Sequence, residues 1–398
     1  MEGVGRLFIS LPDACSKAKI TGKGEGMTEN FNAHPAQIEL ARIFSSDYLL
    51  GPPLSEQSVR LVCHLFTPEE AEVARHLPFY YPRKAEKIAK RANRKVEEIA
   101  PILEKMSEKR VILKLRNGYA LIPLIPGIFE YSLWSGKDTE WHREFARQIN
   151  ALYATGYARK YNKQGKVPAI RIIPVQSIVP VKSQVVDEAL FSELLKHHTD
   201  FGVLNVCQCR QAAHFSGKDC KRSSPEDGCL LFGSFATGAI KRGDARRVSR
   251  SEMESIAKER WEKKLVFWSS NVNPRNPNAI CTCCDCCCHL LESVNRFGGK
   301  TSLSQPRFKV QYDSSVCTDC GLCVKACNTY AHTLFEKRHR FDQAKCIGCG
   351  VCVQECKGKA LKLVENPEYA RPYPSYKSLL LKVIIFMTWA RLKMKFQH

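Results

Sequence analysis

The chain lacks a segment able to cross a bilayer. The apolar run 379–390 is twelve residues long, is broken by Lys382 and is closed by Arg391, Lys393 and Lys395, whereas a spanning helix needs about twenty apolar residues. Its start also lacks the basic segment and long apolar run of a secretory leader: Glu2, Arg6 and a glycine-rich polar stretch at 22–26 stand there instead, and no twin-arginine export motif is present. Those absences argue against export, so the 20 cysteines are not expected to be a disulfide framework. Clustered, unpaired thiols point to a reducing cytoplasm. Acidic residues are scarce too, 40 Asp and Glu against 61 Lys and Arg, for a formal charge of +21.

What the chain has is sulfur at a fixed spacing. Two copies of Cys-x2-Cys-x2-Cys-x3-Cys lie near the C-terminus: Cys317, Cys320, Cys323, Cys327, and Cys346, Cys349, Cys352, Cys356. Three thiolates three residues apart sit on one tight loop and can hold three corners of a cube. The fourth cysteine of each run is expected to start a helix pointing the other way, so the fourth corner comes from the opposite run. Zinc knuckles are the competing reading, but they separate two Cys-x2-Cys pairs by a long loop. Gly321, Gly348 and Gly350 fall between the cysteines, where the backbone must come close to sulfide.

The segment from about 312 to 365 resembles a bacterial two-cluster ferredoxin. The resemblance implies that Cys317, Cys320, Cys323 and Cys356 ligate one [4Fe–4S] cluster, and that Cys346, Cys349, Cys352 and Cys327 ligate the other. Oxygen-sensitive clusters of this kind suggest an anaerobic or microaerobic cell. One departure stands out: proline usually follows the fourth cysteine, and here Asn328 and Lys357 do. Each restores a backbone N–H, and the Lys357 cation is expected to give the Cys356 cluster the higher reduction potential.

The basic excess invites a nucleic-acid reading, but clusters offset part of it. Each [4Fe–4S]2+ core with four thiolates carries about −2, so two bring the balance to about +17 and four to about +13. The remaining charge suits counter-charge for the clusters, or a docking face for an acidic redox partner.

Upstream, residues 36–66 read as two helices separated by Gly51-Pro52-Pro53. A helix over 82–92, a second over 95–108 and a hairpin turning at Asn117-Gly118 follow the order of a winged helix. From Arg94 to Lys109 the second helix and its flanks carry four residues of each sign, including Glu97, Glu98, Glu104 and Glu108. That is a poor match to a phosphate-lined groove, and a scaffold role is favoured over DNA reading. Residues 123–200 read as packing, with an aromatic helix near 141–153. His197-His198 reads as a solvated end of the helix near 185–198.

A second cysteine region begins with Val203-Leu-Asn-Val-Cys-Gln-Cys-Arg. It is read as a buried strand projecting Cys207 and Cys209 to one face. With Cys220 and Cys229, the latter in a Gly-Cys-Leu-Leu-Phe-Gly turn, they are expected to close an S4 site for a third [4Fe–4S], zinc being the alternative. The helix 247–262 then leads to the run Cys281, Cys283, Cys284, Cys286, Cys287, Cys288. Six thiols in eight residues cannot all face one cubane. Either one cluster takes three of them and a borrowed fourth, or two metal centres share the segment.

The order of these parts resembles a family of dicluster 4Fe–4S proteins of anaerobic bacteria and archaea, over about 65–365. The resemblance implies cytoplasmic electron transfer beside larger redox enzymes. The expected fold is α+β and multidomain: a polar segment 1–35, a winged-helix-like domain 36–130, a central cysteine-rich α+β iron–sulfur region 131–305, a two-[4Fe–4S] ferredoxin domain 306–365, and a linker with a basic amphipathic tail 366–398. The expected function is relay of single electrons to or from a larger oxidoreductase, as a component rather than a stand-alone enzyme. A redox-sensing winged-helix DNA-binding regulator is the alternative. The tail is expected either to dock on the chain's own core or to lie on an anionic membrane surface.

Overall fold

The computed structural model describes residues 32–46, 51–79, 81–164, 167–174 and 191–395. The expectation for the polar segment falls almost wholly outside the described residues, as does the first part of the helix read at 185–198.

The N-terminal helices Pro35–Phe44, Glu56–Leu65 and Pro68–Ala74 start where capping boxes place them, at His34, Ser55 and Thr67. Helices Ala85–Ala92 and Val96–Glu108 precede an antiparallel hairpin of β1 (Leu113–Leu115) and β2 (Gly118–Ala120). Its turn is Arg116-Asn117, one residue earlier than expected. Gly118 is needed for a close approach rather than for the turn: a Cβ there would meet the Arg83 carbonyl oxygen at 2.0 Å, because Arg83 and Tyr119 exchange backbone hydrogen bonds. The helix Val96–Glu108 buries Ile99, Ile102, Leu103 and Met106 and leaves Glu97, Glu98 and Glu108 exposed. Two of the local cations are spent on carboxylates, Arg94 on Glu98 and Lys114 on Glu104. The segment is anchored inward through Arg110, 2.5 Å from the buried Asp244 carboxylate.

The centre is a six-stranded antiparallel sheet of β3 (Ile170–Ile172), β4 (Phe201–Leu204), β5 (Leu230–Phe232), β6 (Ala245–Val248), β7 (Val266–Ser270) and β8 (Asn278–Cys283), in the order β3-β7-β8-β5-β4-β6. Strands β4 and β5 are buried at every position, which continuous apolar runs such as Leu-Leu-Phe permit only when both faces are covered. On one face helices Phe191–His197 and Arg250–Glu262 bring Leu194, Met253 and Trp261 against Phe232 and Phe267; on the other, helix Ser234–Lys241 packs Ala236 and Ala239 on Leu204 and Leu231. Each large apolar side chain so covered contributes about 1.5–3 kcal/mol.

The C-terminal part is closed by β9 (Phe308–Tyr312) pairing antiparallel with the later β12 (Leu361–Glu365), with a hairpin of β10 (His332–Phe335) and β11 (Arg338–Phe341) between them. The fourth cysteine of each run does not start a helix. Helices Leu322–Ala326 and Val351–Glu355 are single turns that end on Cys327 and Cys356 as C-caps, because each run's short helix begins at the glycine after its second cysteine.

The tail helix Tyr376–Lys395 docks at its start. The Tyr376 hydroxyl donates to Asn278 Oδ1 at 3.2 Å, its ring lies against Phe235, and Leu379 is buried. One turn further on, Leu380, Leu381 and Ile385 are 54%, 58% and 55% exposed. Among the described residues no helix is long and apolar enough to cross a membrane.

Candidate metal centres

Two cavities lie beside the β9–β12 pair. One is lined by Cys317, Cys320, Cys323 and Cys356 with Tyr312 and His339, the other by Cys327, Cys346, Cys349 and Cys352 with Thr329 and His332. Each therefore collects three cysteines from one run and the last cysteine of the other. Phe308, Val310, Leu361 and Leu363 fill the space around them. No carboxylate and no lysine or arginine lines either cavity, so the donors are soft thiols, the set that suits iron–sulfur chemistry.

Backbone shape brings N–H groups to these sulfurs. Gly348 N–H points at Cys346 Sγ at 3.4 Å and Ala331 N–H at Cys327 Sγ at 3.3 Å. Gly348 has φ +70°, and a Cβ there would meet the Phe308 carbonyl oxygen at 2.3 Å, so only glycine lets the loop close on β9. Burial pushes the Cys349 thiol up to about 12 and Cys323 up to about 11; such thiols surrender protons only in exchange for a cation. Cys320, exposed at the surface, is held below the usual thiol value by the Leu322 N–H, then by the Thr318 hydroxyl, and in smaller part by Lys357. The Lys357 N–H itself is turned to the Glu355 carbonyl, so its contribution is charge.

Two histidines that sequence reasoning passed over sit beside these thiols. His332 and His339 stack and share a ring-nitrogen hydrogen bond of 2.8 Å, and His339 Nδ1 is 3.8 Å from Cys317 Sγ. Burial, then the charge of His339, pushes His332 down to about 4. It is neutral near pH 7.

The central cysteines are arranged differently from expectation. Cys207, Cys209 and Cys229 lie within electrostatic reach of one another, but Cys220 does not join them. The strand β4 stops at Leu204, Cys207 becomes the N-cap of helix Gln208–Phe215, and Cys209 lies in the first turn of that helix; a two-residue strand period therefore does not apply to them. Cys229 immediately precedes the strand β5 rather than lying in a turn. Instead, Cys220 joins Cys284, Cys286 and Cys287, whose four sulfurs all lie within 4.8 Å of one another. Five of the six remaining central thiols form an open chain: Cys229 Sγ is 3.5 Å from Cys281 Sγ, and Cys281, Cys283, Cys288 and Cys209 follow, each in S–H reach of the next.

The strand β8 explains the division. Cys281, Cys283 and then Cys288 pack with Trp268, Leu291 and Ile347 on one face, while Cys284 packs with Cys220, Cys286 and Cys287 on the other. Alternation along a strand separates sulfurs that look contiguous in the sequence.

Two buried arginines hold this floor together. Arg210, 1% exposed, donates to the Asp227 carbonyl at 2.9 Å and the Thr282 carbonyl at 2.6 Å. Arg260 reaches the Gly228 carbonyl, Thr282 Oγ1 and the Asp227 carboxylate. The C-terminal part is seated on the same floor by Asn328, which is 1% exposed. Its Nδ2 donates to the Lys264 carbonyl at 2.9 Å, and its Oδ1 accepts the Asp285 N–H at 3.1 Å. The Asp285 carboxylate accepts from Arg222 and from the Tyr330 hydroxyl, both at 3.1 Å. A proline after Cys327 could make none of the Asn328 side-chain bonds.

No curated protein and no solved structure matches the chain. Residues 309–357, the span that holds all eight cysteines of the two cavities, match the family model of a 4Fe-4S dicluster domain; the protein carries an iron–sulfur module of that kind in its C-terminal part.

Proposed function

We propose that the chain passes single electrons between a reductant and a larger oxidoreductase in a reducing cytoplasm, through two [4Fe–4S] clusters held by Cys317, Cys320, Cys323, Cys356 and by Cys327, Cys346, Cys349, Cys352. The observation that carries this is the pair of four-thiol cavities placed in series. The first opens to the surface at Cys320, and the second abuts the central floor through Cys349, which packs against the core on both faces of β8. A bound [4Fe–4S] cluster supplies reversible one-electron chemistry. The residues do the rest: thiols hold the irons, Gly348 and Ala331 N–H groups favour the reduced, more negative state, and Phe308, Val310 and Leu363 keep water out.

A redox titration tests it. Anaerobic protein is expected to show visible absorbance bleached by dithionite in two one-electron steps. Lys357→Met is expected to lower the potential of the Cys356 cluster by on the order of tens of millivolts at low salt and to leave the other unmoved. Colourless protein without sulfide ends the proposal.

The exposed Leu380, Leu381 and Ile385, with Lys377 and Lys382 on the same helix, favour a second element: the tail lies on an anionic membrane surface. Full-length protein is expected to co-sediment with anionic liposomes and a chain ending at 374 to remain in solution. Equal sedimentation of the two removes the membrane from the reading.

A further inference from the structure

We infer that Cys220, Cys284, Cys286 and Cys287 hold a single tetrahedral metal ion, Zn2+ or Fe2+, rather than an iron–sulfur cube. Sulfur spacing decides between the two. Cys220 Sγ is 3.3 Å from Cys284 Sγ and 3.7 Å from Cys286 Sγ, and Cys286 and Cys287 are 3.6 Å apart. Four thiolates about 2.3 Å from one ion stand roughly 3.8 Å apart at the corners of a tetrahedron. Around a cubane they stand roughly 6 Å apart, because iron and sulfide fill the middle. Neither C-terminal set of four cysteines closes to within 4.8 Å, whereas this one does. The distances are also far too long for a disulfide, whose sulfurs are about 2.05 Å apart.

Charge supplies an independent argument. Arg210 is a buried cation whose hydrogen-bond partners are two neutral carbonyls, and its Nε has no partner. Among the described residues no carboxylate pairs with it, and the groups near it that can carry negative charge are the thiols of Cys207, Cys284, Cys283 and Cys220. A buried guanidinium without an anion is costly. An M(S-Cys)4 centre of charge −2 is the anion it lacks. The binding step balances as M2+ plus four thiols giving M(S-Cys)4 with charge −2 and four protons, which leave through a cavity of about 320 Å³ lined by Cys286, Cys287, Lys218 and His289.

The ion would close a loop between Cys220 and Cys284, which are 64 positions apart in the chain. Between its ligands lies Asp285, which receives Arg222 and Tyr330, so the ion also fixes the seat of the C-terminal module.

The test is metal accounting on full-length, anaerobically purified protein. Cubanes contain iron and sulfide in equal number, so zinc plus iron is expected to exceed acid-labile sulfide by at least about one per chain. The double variant Cys286→Ser/Cys287→Ser is expected to lose about one metal ion per chain with sulfide unchanged. Whether zinc or iron leaves identifies the ion. In Cys352→Ala, iron and sulfide fall together and the excess stays. Loss of equal iron and sulfide from the double variant, or no metal excess in the wild type, overturns the inference; if the double variant does not fold, the wild-type excess decides alone. Absence of sulfide altogether would sink the two-cluster proposal while leaving this one standing.

Discussion

Cys356→Ala is expected to empty the cavity of Cys317, Cys320 and Cys323 and to leave loaded the cavity to which its own neighbours Cys346, Cys349 and Cys352 belong. About four of the eight irons and four of the eight sulfides in the module go with it. The crossing follows from backbone geometry. Each single-turn helix delivers its run's last cysteine to the cavity of the other run. Non-additivity makes the assignment sharp, because substitutions at one centre do not add while those at separate centres do. Cys320→Ala on top of Cys356→Ala is expected to remove no further iron, whereas Cys349→Ala on top of it is expected to strip the module. Iron and sulfide per chain, with the reduced electron paramagnetic resonance spectrum simplifying from two interacting centres to one, provide the readout. The reverse pattern, with Cys349→Ala adding nothing, would mean that each run wraps its own cluster.

The C-terminal module was legible because its chemistry is local. A three-residue cysteine spacing is a statement about one loop, and glycine at 348 is a statement about one φ angle. The hairpin after 108 was legible for the same reason, although the Arg83 backbone that explains Gly118 could not be seen from 35 positions away. The central thiols were not legible. Their grouping depends on where β4 ends, on which face of β8 each sulfur takes, and on Cys220 arriving from a separate loop. Grouping by proximity in the chain put Cys220 with Cys207, Cys209 and Cys229, whereas the sheet puts it with Cys284, Cys286 and Cys287. Two signals were nevertheless present. Asn328 stood where the ferredoxin pattern has proline, and its side chain seats the module on the floor. Arg210 stood directly after Cys209, where a cation beside thiols has an electrostatic use.

That arginine sets the second large effect. Arg210→Met keeps much of the side chain's volume and removes the charge, so the expected loss is electrostatic rather than a cavity. If the four sulfurs around Cys284 bind an ion as a dianionic centre, the variant leaves that charge buried without its counterion, which costs about 3–5 kcal/mol. The Asp227 and Thr282 carbonyls lose their donor as well, at about 1–3 kcal/mol for each one left unsatisfied. The first of these alone corresponds to a metal affinity weaker by roughly 10² to 10³·⁵. The expected outcome is a variant that loses the central ion during purification and melts at lower temperature, while the C-terminal module keeps its iron and sulfide. Arg210→Lys is expected to rescue only part of this, since a single ammonium restores charge but cannot hold two carbonyls with the planar fork of a guanidinium. If instead the thiols are neutral and metal-free, Arg210→Met relieves an unpaired buried cation, which offsets the lost carbonyl donors, and the fall in melting temperature is small. The size of the fall in melting temperature, read beside the metal lost from the variant, therefore reports the charge on the sulfurs, and it does so without any assay of electron transfer.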